Sequence, residues 1–128
     1  MTQRILVVDD DSRLLRVVGM YLAMEGYEVT DALDGVAGLQ EAEQDPPDLI
    51  IMDIMMPGMD GIRACTLLRS NPKTAHIPVV LFSALSGSDD VERARQSGAN
   101  HLITKPFNLV GLAAVVRDLC ASEAAIAS

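Results

Sequence analysis

Three stretches of this chain, Ile5-Leu6-Val7-Val8, Leu49-Ile50-Ile51-Met52 and Val79-Val80-Leu81-Phe82, are apolar at every position, and each stops at a polar residue. A strand with one wet face alternates polar and apolar side chains, so unbroken runs of this length predict strands covered on both faces, as in parallel sheets wrapped by helices. Segments of helical period lie between them. Leu14, Val18, Tyr21 and Leu22, widened by Leu15, Val17 and Met20, predict a first helix that Gly26 stops. Tyr27 to Thr30 predicts a second strand, and Gly35 to Glu43 a second helix, with Val36, Leu39 and Ala42 facing inward, that Pro46-Pro47 forbids from continuing. Ile62, Cys65 and Leu68 mark a third helix ending near Asn71-Pro72, and Ser88 to Gln96 a fourth closed by Gly98. His101-Leu102-Ile103 reads as a brief fifth strand, followed by a helix marked by Leu109, Leu112, Ala113, Val116 and Leu119.

Strands alternating with helices in this way predict an α/β fold of (βα)₅ type, one parallel five-stranded sheet with right-handed crossovers and helices on both faces. A chain of 128 residues is the size of one domain. We take that domain as residues 1–121, with 122–128 as a frayed tail or the start of a linker. The net charge of −8 repels phosphate backbones, and aromatics at 3% leave no stacking platform for bases, so direct nucleic-acid binding is not expected. No apolar run approaches the ~20 residues that span a bilayer, and no leader pattern opens the chain, so no membrane insertion and a cytoplasmic location are expected. Cys65 and Cys120 lack metal-like spacing and read as small buried hydrophobes in a reducing compartment.

In open parallel sheets the ligand site lies beyond the carboxyl ends of the strands. Here those ends carry Asp9 and Asp10, Asp53, Ser83 and Lys105. Three gathered carboxylates raise one another's pKa unless a cation joins them, and oxygen-only donors suit Mg²⁺, with Mn²⁺ as a substitute. No His or Cys stands at these ends, which argues against zinc. Lys105 is one of two lysines in the chain. Its ammonium can pair with a carboxylate at rest and with a phosphoryl oxygen afterwards, and the Ser83 hydroxyl can bond such an oxygen too. The set suits phosphoryl transfer onto Asp53, a reaction served by positioning and electrostatics more than by a general base.

Val7-Val8-Asp9-Asp10, Met52-Asp53-Ile54-Met55-Met56-Pro57-Gly58-Met59-Asp60-Gly61, Ser83-Ala84 and Lys105-Pro106-Phe107 together resemble the receiver domain of bacterial two-component response regulators, over about residues 4 to 120. The resemblance implies a flavodoxin-like sheet of order 2-1-3-4-5 and a cis Lys105-Pro106 bond. It implies a phosphorylation-activated signalling switch, in which a sensor histidine kinase or phosphotransfer protein donates a phosphoryl group to Asp53. Asp10, Asp53 and the backbone carbonyl of Met55 would hold Mg²⁺, with Asp9 helping through water. Such a domain is not an enzyme acting on a separate substrate; it assists its own phosphorylation and slow autodephosphorylation. The downstream protein target would meet helix four, strand five and helix five, with Arg93, His101 and Arg117 as polar contacts. Leu102 stands where the family usually carries an aromatic switch residue, so no aromatic flip is expected. Met55 and Leu85 stand where the family can carry polar side chains that orient attacking water, so the phosphorylated state is expected to persist.

Other residues are read more plainly. His76 and His101 are expected at the surface, Met52, Met55, Met56 and Met59 in packing or surface contacts, Asp11 as a helix cap, and Asp89, Asp90 and Glu92 at the start of a solvated helix. An aspartyl-phosphate phosphatase is the nearest rival, yet Met55 occupies the place of its second acid. A flavodoxin-type flavin carrier would want a phosphate cradle where Asp9-Asp10-Asp11-Ser12 stands, and a phosphate-independent interaction module would not need the acceptor-site residues.

Overall fold

A computed structural model of the chain describes residues 2–84 and 88–127. Its elements alternate strictly: β1 (Arg4–Val8), α1 (Ser12–Met24), β2 (Glu28–Ala32), α2 (Gly35–Gln44), β3 (Leu49–Asp53), α3 (Gly61–Ser70), β4 (Val79–Ser83), α4 (Ser88–Gln96), β5 (His101–Thr104) and α5 (Leu109–Ala127). The strands form one parallel sheet in the order β2-β1-β3-β4-β5. This is the flavodoxin-like arrangement, and every expected element is present.

Period-two alternation in the central strands feeds two apolar layers, one on each face of the sheet. Ile5, Val7, Leu49, Ile51, Val80 and Phe82 pack with Leu15, Val18 and Leu22 of α1 and Leu112, Val116 and Cys120 of α5. Leu6, Val8, Ile50, Met52, Val79 and Leu81 pack with Ala42, Ala64, Cys65, Leu68 and Ala94 on the other side. Both cysteines are buried, and neither forms a disulfide. Aspartates cap three helices: Asp11 accepts from the Arg13 and Leu14 amides, Asp34 from Ala37 and Asp60 from Arg63.

Helix α2 faces the core with Ala42 and Leu39 as expected but departs from expectation at Val36. Val36 is exposed, whereas Gly35, Gly38 and Ala42 are buried. A side chain at Gly38 would collide with Val8 on β1, so the helix sits too close to the sheet for Val36 and turns its glycine edge inward. Helix α5 continues to Ala127, past the stripe that ends at Leu119. Arg69 at the end of α3 donates to the carbonyls of Gly98, Ala75 and Ile77 and to Asn100 Oδ1, which also accepts from the Val79 amide. That network ties α3 to both ends of the chain segment between α4 and β5. Among the described residues, no helix is long and apolar enough to cross a membrane.

Candidate phosphoacceptor site

The register decides which side chains meet. Val8 of β1 lies opposite Met52 of β3, so the next residues, Asp9 and Asp53, leave adjacent strand ends side by side on one face. Asp10 follows directly in the β1–α1 loop. One oxygen from each of Asp9, Asp10 and Asp53 lies within 4.8 Å of the others. Lys105 enters from the loop after β5, its Nζ 3.4 Å from Asp9 Oδ2 and 3.4 Å from Asp53 Oδ2. Its own amide donates to the Ser83 carbonyl at 2.7 Å, which ties the lysine loop to the end of β4. The Lys105-Pro106 bond is cis, in accord with the resemblance.

Asp9 is 0% exposed and Asp53 5%, while Asp10 is open to solvent. Burial pushes the Asp53 carboxyl above the usual carboxylate range, opposed by Lys105 and by the Met55 amide that donates to its Oδ1. Burial raises Asp9 as well, with repulsion from Asp53 adding to it and the Asp11 amide and Lys105 opposing. A cluster that is costly to ionise, made only of hard oxygen donors and open on its Asp10 side, has the chemistry of a Mg²⁺ site. Gly61 begins α3 hard against this cluster: a side chain there would collide with the Asp53 carbonyl oxygen, and its amide donates to Ile54.

Ser83 is buried at the end of β4. Met55, two residues past Asp53, is 59% exposed at the mouth of the site, whereas Met52 and Met56 are buried. Leu85, its counterpart in the water-access expectation, lies outside the described residues. Leu102 is half-buried and lines a groove of about 250 Å³ with Val91 and Ala94 of α4. His76 and His101 are exposed and Asp11 is a cap, as expected.

Sequence reasoning passed over one neighbour of the site. Phe82 and Phe107 stack with ring centroids 4.6 Å apart and planes 16° from parallel, and Lys105 Nζ lies 6.0 Å from the Phe82 centroid. The signal was available: the chain has two phenylalanines, one next to Ser83 and one two residues after Lys105.

The sequence matches the family model of the response regulator receiver domain over residues 5–117. Among similar curated proteins, response regulator PleD of Caulobacter vibrioides is 48% identical over 119 residues, covering 93% of this chain and 26% of its own. The DNA-binding dual master transcriptional regulator RpaA of Synechocystis is 42% identical, covering 91% of this chain and 48% of its own. The chain thus spans about a quarter to a half of these relatives. Among solved structures, the receiver domain of a signal transduction histidine kinase from Syntrophus aciditrophicus superposes with a TM-score of 0.89 at 35% identity, covering 94% of this chain and 92% of that one. Vibrio cholerae chemotaxis protein CheY4 gives 0.88 at 27%, covering 93% and 99%.

Proposed function

The chain belongs to the response regulator receiver domain family, and we propose that Asp53 is its phosphoacceptor, with Asp9, Asp10, Ser83 and Lys105 completing the site. Receiver domains are the phosphorylation-controlled elements of two-component signalling and meet sensor kinases or phosphotransfer proteins. The observation that carries the assignment is the Lys105 ammonium, 3.4 Å from both Asp9 and Asp53 at the carboxyl edge of the sheet.

In the reaction, an Asp53 Oδ–P bond forms as the donor's N–P bond breaks, and the electron pair returns to the imidazole nitrogen. Asp9, Asp10, Asp53 and the Met55 carbonyl would hold Mg²⁺, which when bound neutralises the carboxylates and offsets charge on the transferring phosphoryl group. Lys105 exchanges its carboxylate partner for a phosphoryl oxygen, and the Ser83 hydroxyl bonds another. Reset follows when water attacks phosphorus and the P–O bond to Asp53 breaks; the Met55 side chain offers no hydrogen-bonding group to orient that water.

We read the domain as residues 1–121, working in the cytoplasm. Its phosphorylation state would be read by a protein partner at α4, β5 and α5, where Arg93, His101 and Arg117 stand, with Leu102 repacking instead of an aromatic flipping. The test is incubation with acetyl phosphate or phosphoramidate with and without Mg²⁺, followed by intact mass. Wild type should gain one phosphoryl group only with the metal, and Asp53→Asn none. Undiminished labelling of that variant, or of wild type in excess chelator, would sink the assignment.

A further inference from the structure

The sheet register sets an aromatic ring directly beside the phosphoacceptor. Asp53 pairs with Phe82 across β3 and β4, and Phe82 pairs with Ile103 across β4 and β5. Partners in a parallel pair point to the same face, so Asp9, Asp53, Phe82 and Ile103 form one row. Lys105 stands two residues beyond Ile103, at the far side of that row from the acids. To bring its Nζ within 3.4 Å of Asp9 and Asp53, the side chain has to reach back across Phe82, and the ammonium lies 6.0 Å from the ring centroid. That is at the outer reach of a cation–π contact.

Phe82 is 0% exposed within the core layer under α1 and α5, and Phe107 stacks on it at 4.6 Å. Phe107 belongs to the same short segment as Lys105, so one ring both underlies the lysine side chain and holds the loop that carries it. An aliphatic residue at position 82 could fill the core but would offer neither a flat face to Phe107 nor a negative ring face to an ammonium.

We propose that Phe82 is a positioning residue for phosphoryl transfer, a platform that, clasped by Phe107, aims Lys105 between Asp9 and Asp53. The inference rests on the phosphoacceptor reading above and deepens it. Its action runs wholly through Lys105, which separates it from a general contribution to core packing.

The test is a double-mutant cycle on the initial rate of phosphorylation by phosphoramidate with saturating Mg²⁺, read by intact mass. Phe82→Leu should slow labelling about tenfold, the scale at which small misplacements of a reacting group are felt. In the Lys105→Ala background the same substitution should change the rate no further. Phe107→Leu, at a partly exposed position, should reproduce the loss even if Phe82→Leu folds poorly, and Phe107→Tyr, which keeps the ring, should restore the rate. The Lys105 Hε resonances should move out of the ring-current field in Phe82→Leu. Wild-type labelling by Phe82→Leu alongside a slowed Lys105→Ala, or losses that multiply in the double variant, would overturn the platform while leaving the phosphoacceptor reading intact. Wild-type labelling by Lys105→Ala would overturn the lysine's role itself.

Discussion

Replacing Asp53 by asparagine should make the metal-free domain more stable, although it deletes an ion pair. At an effective permittivity of about 20, Lys105 at 3.4 Å attracts the Asp53 carboxylate by about 4.9 kcal/mol. Asp9, no more than 4.8 Å away, repels it by at least about 3.5 kcal/mol, and exposed Asp10 adds roughly 1–2 kcal/mol through wetter surroundings. These ionic contributions nearly cancel. What remains is the desolvation of a buried carboxylate, several kcal/mol, against a weak charged hydrogen bond from the Met55 amide. Asparagine keeps the shape and an acceptor oxygen, and Lys105 keeps Asp9. The gain should be about 2 kcal/mol, or roughly 6–10 °C in melting temperature for a chain of this size. The assay is thermal unfolding by circular dichroism in excess chelator, repeated with rising Mg²⁺. Wild type should climb toward the variant as the metal binds, by about 2.7 kcal/mol at a hundredfold excess over Kd, and the variant should climb less. If Asp53→Asn melts at or below wild type in chelator, the site does not hold net electrostatic strain.

The same balance has a pH signature. Asp9 and Asp53 have raised carboxyl pKa values in the folded protein, so their favourable contribution is complete below the unfolded value of ~4 and is lost as pH rises through the folded values. The stability gap between Asp53→Asn and wild type in chelator should therefore be widest near neutrality and close toward about pH 4, as melting curves across that range will show. Gly61→Ala should cost about 2 kcal/mol or more and slow labelling of Asp53, because a methyl group there displaces the strand end that carries Asp53; unchanged melting and labelling would contradict the close approach. Met55→Asn should speed loss of the phosphoryl label severalfold after donor removal, since a polar side chain at the mouth of the site can orient water; an unchanged decay would mean that Met55 does not govern access.

The strands and their chemical ends were legible because a doubly covered strand has no polar positions except where it leaves the sheet, which is why Asp9, Asp53 and Ser83 stand out. The exposure of Val36 on α2 was not. Hydrophobic period points Val36 inward, but Gly38 permits a contact with Val8 that only the sheet position reveals. Stacking of Phe82 on Phe107 escaped for a similar reason: β4 and the lysine loop become neighbours through strand pairing, and no spacing along the chain encodes that. No pattern along the chain singles out Arg69, yet its guanidinium serves four acceptors up to 31 residues away. Strand order and the cis bond came from family resemblance, since period and composition are blind to both.

The bond between Lys105 and Asp9 joins residues 96 positions apart, and Asp53 sits between them in the chain. Closing so long a loop has a large entropic cost, which assembled sheet contacts offset and a disordered or half-formed chain cannot. Acceptor, acids and lysine therefore exist as a group only in molecules whose β1, β3 and β5 are all in place. If Asp53 is the acceptor as proposed, phosphoryl incorporation would count native molecules: the labelled fraction would be a census of completed folding, and a nascent or damaged chain would take no label without any separate checkpoint.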